Sequence, residues 1–190
     1  MADLPIIMFE SEEAWAQWLE ENHATSQGLW LKIAKKGANQ PSVYYPEALN
    51  VALCYGWIDG QKGKFDEQYW LQKFTPRRAK SPWSRVNTDK VAELIAQGRM
   101  REAGLKEIER AKADGRWDAA YDPASRAQVP DDFQMQLDKH PIAQEFFAPL
   151  NSQNRYAILF RIQTAKKSET RTKRIQQFIE MLERREKLYS

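Results

Sequence analysis

The stretch KFTPRRAKSPWSRVN, residues 73–87, gathers Arg77, Arg78, Lys80 and Arg85 around two prolines, two serines and Trp83. Arginine forks match the oxygens of a phosphate or carboxylate two at a time. Ser81, Ser84 and Asn87 add neutral donors, and the Trp83 indole offers a flat face on which a base can stack. Pro76 and Pro82 restrict the loop, so less conformational entropy is lost when a ligand binds. These residue types suit an anion carrying a flat group: a nucleotide, another small anion, or single-stranded nucleic acid. A packing account uses them differently. In it Arg77 and Arg78 pair with acidic helices later in the chain and Trp83 fills a core.

Other candidates are thinner. Asp59, in GWIDG, follows an apolar run and precedes a glycine. It can serve as a general base or acceptor in a cleft, or order the turn through its own backbone bonds. Cys54, in ALCYGW, has no histidine near it in sequence and reads as a buried, inert thiol. One cysteine and two isolated histidines make no metal-ligand cluster, and no cofactor pattern is present. GQKGK (60–64) lacks the spacing of a phosphate loop and reads as a turn with Gly63 at positive φ. A second basic block, AKKSETRTKR (165–174), opens the last helix, where positive charge is unfavourable to the helix dipole. It suits either an external anion or a salt-bridged surface.

The elements that must position these groups follow from periodicity and caps. PIIMF (5–9) suits a short buried strand. Ser11 can cap a helix to about Asn22 with Trp15, Trp18 and Leu19 on one face. GLWLKIAKK (28–36) alternates as a half-exposed strand, with Leu29, Leu31 and Ile33 inward. Pro46 opens a helix that Gly56 ends. WIDGQ (57–61) and QYWLQKF (68–74) read as a hairpin joined by KGKFDE. After the basic loop the chain is helical: 88–97 capped by Asn87 or Thr88, then 99–114, about 130–139, 141–149, 152–165 and 168–187. The expected fold is α+β: a small mixed sheet with helices in βαβαββ order in the N-terminal half, and an all-helical C-terminal half. We expect an α+β domain over residues 1–115 that includes the basic loop, and a helical region over 116–190 packed on it.

The 190 residues are 42% hydrophobic and 29% charged, with a formal net charge of +3. That charge is uneven: residues 61–101 hold 10 basic and 4 acidic groups, and residues 155–190 again 10 and 4. Residues 1–60 and 102–154 are net acidic. Basic blocks that share a face would attract anions; blocks that point apart are ordinary solvated surface. No apolar run reaches the roughly 18 residues that cross a bilayer, so no membrane insertion is expected. MADLPIIMFESEEAW lacks the basic start of a secretory signal, and with a lone cysteine the expected location is cytoplasmic.

ALCYGWIDGQ (52–61), FTPRRAKSPWSRVN (74–87), the GRM..AGL stretch (98–105), DGRWDAAY (114–121) and AKKSETRTKRI (165–175) together resemble the YdeI/OmpD-associated, or bacteriocin-protection, family. The resemblance implies a bacterial protein with a role in stress or tolerance of bacteriocins, and carries over no catalytic residues. It points to the positions already named: Trp57, Asp59, Arg77, Ser81, Trp83, Ser84 and Asn87. The leading expectation is a non-enzymatic protein that binds an anionic ligand at Arg77, Arg78, Lys80 and Trp83. The alternatives are an enzyme with an Asp59/Arg77 cleft, or a protein–protein module. The module would dock a partner on its helical half through Tyr156, Phe160, Phe178 and Leu182.

Overall fold

The computed structural model describes residues 4–165 and 167–190, so Lys166 of the second basic block lies outside the described residues. The elements run β1(Ile6–Ile7), α1(Glu12–Asn22), β2(Leu29–Ala34), α2(Tyr45–Cys54), β3(Trp57–Lys64), β4(Tyr69–Pro76), α3(Arg85–Ala96) and α4(Glu102–Ala113). Then come α5(Asp131–Lys139), α6(Pro141–Phe147), α7(Ser152–Gln163) and α8(Ser168–Glu183). This is the α+β order read from the sequence, with a mixed sheet in front and helices behind. The chain divides into two units, one of residues 4–83 with 87–118, the other of 84–86 with 119–190.

In the first unit the sheet order is β1-β2-β4-β3, with β1 parallel to β2 and the other pairs antiparallel. Alternation in β2 puts Leu29, Leu31 and Ile33 on the face shared with Phe74, Gln72 and Trp70 of β4. Trp57 of β3 lies on that face too, and Trp15 of α1 packs on both Trp57 and Phe74. The helix forms there because Ser11 accepts a capping bond from the Ala14 amide (3.2 Å) and Glu12 and Glu13 sit in the first turn. The Trp15 indole N–H donates to the Ala48 carbonyl at 3.0 Å, which ties α1 to α2. Each such fully buried large side chain stabilises the fold by about 1.5–3 kcal/mol.

Four local readings are corrected. PIIMF supplies only a two-residue edge strand, and Ile6 is half exposed because nothing pairs beyond it in the sheet. GQKGK is strand, not turn: β3 runs on through Lys64, and Gly63 has no positive φ. A bulge after Asp59 absorbs the extra residue, and Gln72 donates to the carbonyls of Gly60 and Gln61 inside it. The hairpin turn falls later, where the Asp66 carboxylate accepts from the amides of Gln68 and Tyr69. Finally, α3 begins at Arg85, so Asn87 and Thr88 are buried inside its first turn and do not cap it.

The second unit is built on α5–α8. Ile175, Phe178, Ile179 and Leu182 form the buried stripe of α8, against Phe133, Leu137, Ile158 and Ile162. Phe178 and Leu182 are therefore spent on the core; Tyr156 and Phe160 stay half-buried and line a shallow cleft of about 420 Å³. Among the described residues no helix is long and apolar enough to cross a membrane.

The second basic block turns inward at two points. Arg171 donates to both oxygens of Asp132 (2.6 and 2.8 Å) and to the Ile162 carbonyl (3.0 Å), and Arg174 donates to the Arg161 carbonyl. The Arg171 hydrogen bonds hold the Asp132 carboxyl below its ordinary value of 3.8. A depressed carboxyl stabilises the fold above that value and loses its contribution as pH falls through the lowered one. Stability should therefore drop below about pH 4, and Asp132→Asn should flatten that part of the acid limb. Because the pair is partly exposed, the substitution should cost only about 1 kcal/mol at pH 7 in urea melts.

Candidate functional site

The basic loop leaves β4 at Pro76 and is pinned at its first residue, where the Arg77 amide donates to the Gly56 carbonyl (3.0 Å). Gly56 stands at φ +73°, and a side chain there would strike Glu107 and the Ala103 carbonyl. The missing side chains at Gly56 and Gly104 let α4 close on the end of α2. There the Arg101 amide donates to the Cys54 carbonyl at 3.1 Å.

The Arg77 guanidinium, 6% exposed, lies 3.5 Å from the centre of the Trp83 indole and donates from Nη1 to the Pro82 carbonyl. Trp83 is 2% exposed, and its other neighbour is the Trp117 ring at 4.9 Å. The ring serves a guanidinium of its own chain, so its faces are not open to an incoming base.

Ser81 ties the turn: its hydroxyl accepts from the Arg78 amide at 3.0 Å, and its amide donates to the Arg78 carbonyl. Arg116 reaches in from the segment after α4. It donates from Nε to both oxygens of Asp114 and from Nη1 to the Ser81 carbonyl at 2.8 Å. Arg78 and Lys80 stand exposed on this fixed turn. Two buried arginines, Arg77 and Arg116, thus stand beside one turn, and the Asp114 carboxylate pairs the second.

The remaining sequence candidates are distributed as follows. Trp57 is buried in the sheet–helix core and donates to the His23 carbonyl at 3.2 Å. Asp59 accepts from the Tyr45 hydroxyl at 2.8 Å. Ser84 and Asn87 are buried, and Ser84 bridges to Tyr121 within the second unit. Among the described residues no group of three His, Cys, Asp or Glu could hold a metal.

Sequence reasoning missed Arg116, Trp117 and Glu107. DGRWDAAY contained the first two, but nothing local to that string tells an arginine that will reach back 35 positions from a solvated one. Glu107 carries the carboxylate in the field of Arg77, Arg110 and Arg116. Burial pushes its carboxyl above the ordinary value of 4.5, against the pull of those three arginines. It can therefore keep a proton at a pH where an exposed glutamate has lost one.

Cys54 lies 3% exposed at the end of α2, and burial raises its thiol above 9.0 against the opposing charges of Arg99 and Arg101. Native protein at pH 8 should react with a thiol reagent only on unfolding, in one kinetic phase with loss of structure. Rapid labelling of the folded chain would contradict this placement.

A search of curated proteins and one of solved structures find no match. Residues 7–107 match the family described as a domain of unknown function (DUF8412), so the basic loop falls inside that match. Residues 126–185 match the family described as bacteriocin-protection, YdeI or OmpD-associated. The chain thus belongs to the DUF8412 family through its larger, sheet-bearing part, and its helical part is of the bacteriocin-protection, YdeI or OmpD-associated type.

Proposed function

We propose that the chain is a non-enzymatic cytoplasmic binding protein, with a stress or bacteriocin-protection role, that holds an anionic ligand at the basic loop. The observation that carries this reading is a pair of buried donors beside the turn. Nη2 of Arg116 and Nε1 of Trp83 have no acceptor among the described residues. A buried donor without an acceptor costs about 1–3 kcal/mol, more for a charged group. An oxygen of a phosphate or carboxylate reaching in beside Ser81 would satisfy such donors. Arg78 and Lys80 would then meet the remainder of the ligand at the rim, while Arg77 and Trp83 keep the turn in place.

The test is thermal unfolding of wild type and of Arg78→Ala with Lys80→Ala against nucleotides, phosphosugars and acidic peptides. A ligand at about 100 times its Kd should add roughly 2.7 kcal/mol to wild type and much less to the variant. If no class shifts wild type, or both proteins shift equally, the loop is only a structural clamp.

A further inference from the structure

We infer that the sheet face turned away from α1 and α2 is a stacking platform for single-stranded nucleic acid, at a site separate from the basic loop. The register places Ile6, Trp30 and Lys73 in one row across β1, β2 and β4 on this face, with Lys32, Leu71 and Gly63 in the next. Trp30, Lys32 and Lys73 are half-buried and Ile6 is exposed, whereas the opposite face carries the fully buried Leu29, Leu31 and Phe74.

The Trp30 ring is the central observation. A Cβ built on Gly63 would stand 3.6 Å from its six-membered ring and 3.5 Å from Leu71. Trp30 is on β2 and Gly63 on β3, with β4 between them. The indole therefore reaches across β4, along the sheet rather than standing off it, and stays partly exposed. A glycine in a strand interior often marks close approach of another group, and here that group is a flat aromatic ring.

Two lysines share this face with the ring, and no carboxylate is among the face residues. Lys73 Nζ lies 5.8 Å from the Trp30 centre, and Lys32 Nζ sits over Tyr69 (4.1 Å) and Phe65 (4.6 Å). Lys62 and Lys64 of β3 pair with Gln72 and Trp70 and so belong to the opposite side of the sheet, where Lys62 Nζ sits 4.2 Å from the Trp70 ring centre. Of the nearby acids, Asp59 is on the helix-covered face, Asp66 is engaged by the hairpin amides, and Glu67 sits at the hairpin tip. A partly exposed aromatic ring laid along a sheet beside lysines matches a polymer of stacked bases and phosphates. A duplex hides its base faces and cannot use such a ring.

Anisotropy of a fluorescein-labelled oligouridylate of about ten nucleotides at low salt, beside a duplex of the same length, tests this. The expectation is binding to the single strand, with the duplex weaker. Trp30→Ala should weaken it about tenfold or more, and Trp30→Phe, which keeps a π face, should retain most of it. Lys32→Gln with Lys73→Gln should reduce the slope of log K against log salt by about 0.7 for every phosphate that is no longer neutralised. Lys106→Gln, on α4, should change nothing.

Thermal melts of each variant separate loss of binding from loss of fold, and Trp30→Phe and the lysine pair keep the test decisive if Trp30→Ala unfolds. No binding by wild type overturns the proposal, as does equal affinity for duplex. So does binding that ignores both Trp30 and the lysine pair. If only Arg78→Ala with Lys80→Ala abolishes binding, the loop takes the oligonucleotide and the sheet proposal falls while the loop reading stands.

Discussion

Trp83→Ala should lower the unfolding free energy by about 3–5 kcal/mol, the usual range for removing a buried tryptophan. The ring is 2% exposed and fills the space between Arg77 and Trp117. Its loss leaves a cavity and also strips the buried Arg77 guanidinium of a cation–π interaction worth about 2 kcal/mol when desolvated. The indole N–H makes no hydrogen bond within the described residues, so its removal alone forfeits none. Trp83→Phe should therefore recover most of the loss. Arg78→Ala with Lys80→Ala, both exposed, should stay within about 0.5 kcal/mol of wild type. Denaturant midpoints at unchanged m-value read all three. A Trp83→Ala protein as stable as wild type would mean that the ring is not a packing element and would return it to the role of an open ligand face.

The contrast between Trp83 and Arg78 shows what was legible in the sequence and what was not. Periodicity located every helix and the alternating β2 strand, because Leu29, Leu31 and Ile33 report directly which side of a strand meets the core. The buried stripe of α8 was equally plain. Side-chain role in the loop was not. Arg77 and Arg78 are identical and adjacent, yet one stacks on a buried indole and the other stands in solvent. The difference comes from Arg116 and Trp117, brought to the turn by tertiary packing that no local pattern encodes. Asp59 drew notice because of its neighbours in GWIDG, while the acid in the field of Arg77 is Glu107, an unremarked residue of a charged helix. The same limit holds for the tryptophans: Trp83 stood in a conspicuous string and proved buried, whereas Trp30, in the alternating β2 strand, reaches across β4 toward Gly63.

Gly104→Ala should destabilise the protein, although helix propensity argues the reverse. Alanine is favoured over glycine inside a helix by about 1 kcal/mol, and Gly104 sits within α4 at no positive φ. A Cβ at this position would overlap the Cys54 carbonyl and crowd the Met100 methyl. The methionine can swing away, but the carbonyl is backbone and accepts the Arg101 amide, so α4 itself must shift. Overpacking of this kind costs about 1–3 kcal/mol net, and Gly104→Val should cost more. Amide exchange at Arg101 should quicken in the variant, since the docking bond to Cys54 is the one displaced. Glu109→Ala, on the exposed side of the same helix, should leave both stability and exchange unchanged. The consequence reaches the loop, because the approach of α4 sets Glu107 in the field of Arg77 and Arg116. A Gly104→Ala protein that gained stability would show that α4 tolerates an outward shift. Glu107 would then be carried by a helix free to move, and its raised carboxyl would fall back toward the ordinary value.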